Sequence, residues 1–171
     1  MIRNCARSVR LCTLGLVACL YLLAPDRARA DATLADSGPQ VWLSPGMYSW
    51  HFDRDKDLRD PNPGFGVEVA VTREHVIMGG TYLNSNDARS RYAVYAWRPL
   101  HWRLGSLDAG AGVAVAAIDG YPNYKEGGWF VAPLPLFYLE SRYVGVNLSV
   151  VPTLRNRVDG AFTLQFKLRV W

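Results

Sequence analysis

Beyond its first thirty residues the chain has no cysteine. Cys5, Cys12 and Cys19 are the three it contains, so the remainder can form no disulfide and do no thiol chemistry. It also lacks a long apolar run past that point: no stretch approaches the roughly 18 uninterrupted apolar residues that a membrane-spanning helix needs. An excess of positive charge is missing too. The chain carries 19 Lys plus Arg against 15 Asp plus Glu, but five Arg and one Asp lie before residue 31, which leaves 14 of each. A neutral remainder gives no electrostatic reason to expect nucleic acid as a partner. No Cys/His spacing for a metal, no Gly-x-Ser-x-Gly elbow and no phosphate-cradling glycine loop occurs.

What the first thirty residues do have is the make-up of a secretory signal. Arg3, Arg7 and Arg10 lead into an apolar segment at 11–23, and "RARA" precedes Asp31. Cleavage is expected after Ala30. "LVAC", ending at Cys19, also fits a lipoprotein cleavage box, but the apolar run continues past it. The expected organisation is a signal peptide at 1–30, a lead-in segment at 31–45 and one domain at 46–171.

From residue 46 onward apolar residues recur at every second position. In "GFGVEVAVT" (64–72), Phe65, Val67, Val69 and Val71 share one face, and Gly66, Glu68, Ala70 and Thr72 the other. "YVGVNLSVV" (143–151) and "AFTLQFKLRV" (161–170) alternate in the same way. A soluble sandwich would bury the bulky face, whereas a membrane barrel would turn it to lipid. Eight strands are expected, near 46–52, 64–72, 75–84, 90–98, 102–116, 129–140, 143–151 and 160–170. Connections at 73–74, 99–101 and 141–142 are short, and those between them mostly longer. Trp50, Tyr92, Tyr95, Trp97, Trp102, Trp129, Tyr138, Tyr143 and Trp171 mostly fall near strand ends, where interfacial girdles sit. The fold class that results is all-β: an eight-stranded antiparallel transmembrane β-barrel with short periplasmic turns and longer extracellular loops. An N-terminal helix has little room, because the lead-in contains Gly38, Pro39 and Pro45.

Polar residues gather in two of the longer loops, "DRDKDLRDPNP" (53–63) and "NSNDARSR" (84–91). Odd-numbered strands all run towards the long-loop end, so His51, Asn84 and Ser85 are expected on one rim. Acyl chemistry needs that combination: an imidazole to take a proton from an attacking hydroxyl, and amide or hydroxyl donors for the oxyanion. A lone histidine at a strand end is otherwise an interfacial side chain. His75 and His101 fall in or beside the short turns, away from that rim.

At these residues the sequence resembles the lipid A palmitoyltransferases of Gram-negative outer membranes, the PagP family. "SWH" (49–51), a charged loop with "DKD", "GFG" (64–66), "YLNS" (82–85), "WRPL" (97–100) and "APLPLF" (132–137) follow one another as the family's motifs do. The resemblance implies an outer-membrane enzyme that moves a palmitoyl or similar chain from a phospholipid donor to a hydroxyacyl chain of lipid A, the lipopolysaccharide acceptor. It implies no metal or organic cofactor, and a monomer is expected. His51 takes the place of the catalytic histidine, Ser85 that of the serine, and Asn84 that of an aspartate. Since an amide cannot offset an imidazolium charge, Asp53, Asp55 or Asp87 is expected to supply the carboxylate. The position that floors the family's acyl pocket falls on Ala96 or Tyr92, depending on register, and either shortens the pocket.

Pro133 and Pro135 interrupt an apolar run that otherwise reads as a strand. Both lack an N–H, and residues two apart face the same neighbouring strand, so one seam loses two donors. The resemblance implies that this seam is a lateral gate for lipid. Two rival readings remain: a non-enzymatic small barrel that binds through its loops, and a lipid A deacylase, whose His-x-Ser arrangement is missing because Phe52 and Asp53 follow His51.

Overall fold

A computed structural model describes residues 38–153 and 158–171; the expected signal peptide and residues 31–37 of the lead-in lie outside the described residues. Eight antiparallel strands close on themselves in sequence order. They are β1 (Gln40–His51), β2 (Pro61–Ala70), β3 (His75–Leu83), β4 (Arg89–Leu104), β5 (Leu107–Ile118), β6 (Phe130–Glu140), β7 (Val144–Val151) and β8 (Ala161–Arg169). The only helical piece among the described residues is one 3-10 turn, Lys125–Gly127. Closure gives every strand two neighbours, so no edge is left to pair with another chain.

The alternation in the sequence maps directly onto the wall. Phe65, Ile77, Val113, Phe137, Leu148 and Phe166 point outward and are 44–58% exposed, while Glu68, Arg98, Glu140, Asn147 and Lys167 point inward and are buried. This is the reverse of a soluble sandwich, which hides its bulky face. Short connections (71–74, 105–106 and 141–143) alternate with long ones (52–60, 84–88, 119–129 and 152–160), so the barrel has a short-turn end and a long-loop end.

Three boundaries differ from the sequence reading, each at a proline. β1 begins at Gln40, so residues 40–45 of the lead-in are barrel wall; Pro45 is accommodated where the β1–β2 register slips between Ser44 and Gly46. β2 begins at Pro61, inside what reads as a loop. The expected turn at 99–101 is strand: β4 runs through Pro99 to Leu104 because its register with β5 slips between Trp97 and Leu100. A bulge leaves a residue out of the ladder, so the missing N–H of proline goes unneeded there. The turn itself is Gly105–Ser106, with Gly105 at φ 64°. Two aromatic assignments change as well. Tyr92 and Tyr138 are buried in the lumen, whereas Trp50, Trp129, Tyr143 and Trp171 are exposed at or beside strand ends and Tyr95 and Trp97 are exposed along the middle of β4.

Towards the short-turn end the lumen is filled by ions. Lys167 Nζ donates to Glu68 Oε1 at 2.5 Å and Glu140 Oε1 at 2.7 Å, and Arg98 Nη1 donates to Glu140 Oε1 at 2.7 Å. Asn147 Nδ2 adds a 2.7 Å bond to Glu68 Oε2. Two anions and two cations, one from each even-numbered strand, thus balance across the lumen. The Trp42 ring lies 4.9 Å from Lys167 and the Tyr138 ring 4.1 Å from Arg98, covering both cations.

Removing one ion from such a set leaves an uncompensated charge in a dry interior, which costs about 3–5 kcal/mol. Lys167→Met is therefore expected to lower the urea unfolding midpoint sharply in detergent, read by tryptophan fluorescence. Adding Glu68→Gln restores charge balance around the intact Arg98–Glu140 pair and should recover most of the loss. Equal midpoints for wild type and Lys167→Met would show that the network does not hold the wall together.

Candidate functional site

His51 is the last residue of β1 at the long-loop end, turned inward and 4% exposed. Its Nδ1 lies 3.1 Å from Asp60 Oδ1. Asp60 directly precedes β2, and the β1–β2 hairpin places it opposite Ser49, whose N–H donates to the Asp60 carbonyl at 2.8 Å. The Asp60 carboxylate also accepts from Arg54 Nη1 at 3.1 and 2.9 Å, and from the Tyr48 hydroxyl at 3.3 Å. Desolvation pushes this carboxyl up, but the bonds from His51, Arg54 and Tyr48 and the Arg54 charge outweigh it and hold the group below its ordinary value. Beneath the pair, Ser49 Oγ donates to Asn62 Oδ1 at 2.6 Å, and Asn62 Nδ2 donates to the Leu83 carbonyl at 3.0 Å. The imidazole therefore sits on a hydrogen-bonded base that reaches across β1, β2 and β3.

None of the three expected carboxylates serves His51. Asp53 accepts from the backbone N–H of Asp55 and lies 3.9 Å from Lys56, Asp55 is exposed, and Asp87 pairs with Arg59 at 2.5 Å. Asn84 is not free to act either. Its Nδ2 donates to Ser90 Oγ at 2.9 Å and the Gly120 carbonyl at 2.8 Å, while its Oδ1 accepts from the N–H groups of Asn86 and Ala88 at 2.9 and 3.1 Å. An amide has two donors and two lone pairs, and all four are used, two within loop 84–88 and two tying it to Ser90 and Gly120. Ser85 is buried, and its carbonyl accepts from Arg59 N–H at 3.1 Å, which ties loops 52–60 and 84–88 together. Among the described residues no hydrogen bond joins Ser85 to His51. The expected rim is assembled; the expected contact within it is not.

Tyr92 and Ala96 occupy different depths. Ala96 is fully buried in an apolar cluster with Ala70, Val76, Ala114 and Leu136. Tyr92, nearer the long-loop end of β4, reaches across the lumen to Gln165 Nε2 on β8, the opposite wall, at 3.4 Å. Gly66 lies under its hydroxyl, where any Cβ would collide. Only three residues separate Tyr92 from the start of β4, and towards the long-loop end its ring packs at 5.8 Å on that of buried Tyr82, whose hydroxyl lies 3.0 Å from that of Tyr121.

Two seams open at the same end. The β6–β7 ladder stops at Leu136–Ser149, although β6 pairs with β5 along its whole length from Phe130. Pro133 and Pro135 fall in the unpaired part, and the Pro135 carbonyl accepts instead from Ser149 Oγ at 2.7 Å. Its backbone thus faces β7, and so do both missing N–H groups. The second seam is β2–β3: pairing starts at Gly64–Tyr82, and Pro61, Asn62 and Pro63 pair with β1 alone. There the Asn62 side chain bridges to Leu83.

Among the described residues no three His, Asp or Glu side chains are grouped to hold a metal ion. No protein-family model matches the chain, and no curated protein matches it. The residue that sequence reasoning missed is Asp60. Its signal lay in the "PNP" that follows: read as strand, Pro61 faces Tyr48 across the hairpin and brings Asp60 beside His51.

Asn84→Asp would put an oxygen where Nδ2 now donates to the Gly120 carbonyl. This is expected to cost about 1–3 kcal/mol and to loosen loops 84–88 and 119–129, seen as faster proteolytic nicking there. A more protease-resistant Asn84→Asp protein would contradict the bonding described for that amide.

Proposed function

We propose that this protein is an outer-membrane acyltransferase that moves a fatty acyl chain from a phospholipid to a hydroxyacyl chain of lipid A. The observation that carries the reading is the pairing of buried His51 with part-buried Asp60 at the long-loop rim of a barrel with an apolar outer wall. Such a wall suits hydrocarbon, and polar groups turned to the lumen avoid it. A buried imidazole bonded to a carboxylate through one nitrogen can take a proton through the other. The long-loop end is then the outer face, where lipid A resides.

In the reaction, the unbonded His51 nitrogen takes the proton of the acceptor hydroxyl as its oxygen attacks the donor ester carbonyl. Collapse of the tetrahedral intermediate breaks the bond to the donor's glycerol oxygen, which leaves with the proton held on the imidazolium. Products are acylated lipid A and a lysophospholipid. Ser85, tied to the same loop through Arg59, is the hydroxyl that positions the ester oxygen; Asn84 is committed to its loop and takes no part. Substrate chains reach the lumen sideways through the β6–β7 seam. With Tyr92 lying across the lumen and Tyr82 packed against it, a chain shorter than palmitoyl is favoured.

Expression in an outer membrane followed by mass spectrometry of lipid A tests this. One added acyl group, shorter than palmitoyl, is expected, with His51→Ala lowering its yield on the order of a hundredfold or more. Unmodified lipid A, or modification that survives His51→Ala, would favour a non-enzymatic barrel in which the His51–Asp60 pair only fastens the hairpin.

Restoring the seam tests the route separately. Pro133→Thr with Pro135→Val supplies two N–H donors to β7 and should slow transfer several-fold, with heat-modifiable migration on gels unchanged. Unaltered transfer in a correctly folded double variant would rule out entrance between β6 and β7.

A further inference from the structure

We propose that Asp60 is the positioning residue for His51, fixing the ring proton on Nδ1 so that Nε2 is the basic atom, and that Arg54 limits how much of the Asp60 charge reaches the ring. This rests on the acyltransferase reading and names the carboxylate within it. The geometry is specific. Asp60 Oδ1 is shared between His51 Nδ1 at 3.1 Å and Arg54 Nη1 at 3.1 Å, and Oδ2 takes a second Arg54 contact at 2.9 Å. A carboxylate is an acceptor only, so the His51 nitrogen facing it must be the one that carries hydrogen. The Asp60 side chain is 14% exposed and that of Arg54 57%, so the acid is held close to the ring while its counter-ion stands in solvent.

Among the described residues no other charge is bonded to the ring. From β1 and β2 the neighbouring polar groups are Ser49 and Asn62, which bond to each other, and Tyr48, which donates to Asp60. On the β8 side His51 is registered with Ala161. Among the loop carboxylates nearby, Asp159 is held by Lys56 and Asp87 by Arg59. Asp60 and Arg54 are thus two opposite charges acting on one imidazole, the acid directly and the base through the acid.

Opposite signs give opposite outcomes, which a merely structural role would not. Removing the Asp60 charge makes an imidazolium at His51 less favourable, so the acid limb of the pH–rate profile should move to lower pH in Asp60→Asn. Removing the Arg54 charge should move it to higher pH in Arg54→Gln, by less because Arg54 is exposed. Turnover in Asp60→Asn should fall on the order of tenfold or more. Nitrogen-15 spectra of the histidine-labelled barrel in detergent, with His51 assigned by its loss in His51→Gln, supply a readout that does not need activity. Wild type should show the neutral ring protonated on Nδ1, and Asp60→Ala should lose that preference. A wild-type ring protonated on Nε2, or limbs that shift in the same direction or not at all, would overturn the proposal. Absence of any acyl transfer by wild type would sink the acyltransferase reading alone, since the ring spectra still decide the role of Asp60.

Discussion

The ionic bridge across the lumen is the constraint from which the rest of the barrel follows. Glu68, Arg98, Glu140 and Lys167 come from β2, β4, β6 and β8, so their bonds join walls that share no ladder. Burying four charges costs desolvation that their mutual attraction only partly offsets, so the set is weak evidence for raw stability. Its effect is on register. Side chains alternate with period two, and a slip of one residue in any even strand would turn its charge from the lumen to the apolar outer wall. The network admits a single pairing, and the outward face of phenylalanine, valine and leucine is correct only in that pairing.

Fastening one end of the barrel leaves the other free to depart from the ladder. Both interrupted seams lie at the long-loop end, and in each a side chain takes over one lost backbone interaction: Ser149 at Pro135, Asn62 at Leu83. In the membrane setting proposed above, an orphaned carbonyl costs several kcal/mol, and such substitutes allow the openings to persist. Proline has two distinct uses in this wall. Pro45 and Pro99 sit at register slips, where the ladder already skips a residue. Pro61, Pro63, Pro133 and Pro135 come in pairs two apart, each aimed at one seam, and there the ladder is withheld.

That distinction marks the limit of what was legible in the sequence. Alternation located all eight strands, because it depends on local periodicity, whereas the inside-out polarity was legible from the even strand number, the alternating connection lengths and the aromatic residues near strand ends. Alternation placed the turn near Pro99 because a proline beside an apolar run reads as punctuation, and a bulge gives no comparable local sign. Asn84 and Ser85 were legible as rim residues, from strand direction. That Asn84 would spend its whole hydrogen-bonding capacity on Ser90, Gly120, Asn86 and Ala88 was not, since those partners are set by loop closure. Several carboxylates in "DRDKDLRDPNP" look equivalent by spacing. Only the start of β2 at Pro61 singles out Asp60.

Placing the carboxylate there changes what the site depends on. A base on β1 with a partner on loop 84–88 would rely on two strands that are not neighbours, and hence on how a long loop folds over the rim. His51 and Asp60 instead belong to one hairpin, held by the Ser49–Asp60 backbone bond at 2.8 Å and by Tyr48. Hairpin partners move together, so the Nδ1–Oδ1 distance does not rely on a side chain of loop 84–88. Loop 84–88 then has a different task, to brace loop 52–60 through Arg59. The β6–β7 seam, through which lipid is proposed to enter, is separated from the β1–β2 hairpin by β8 on one side and by β3, β4 and β5 on the other, so the proposed entrance and the proposed base are built on different parts of the wall.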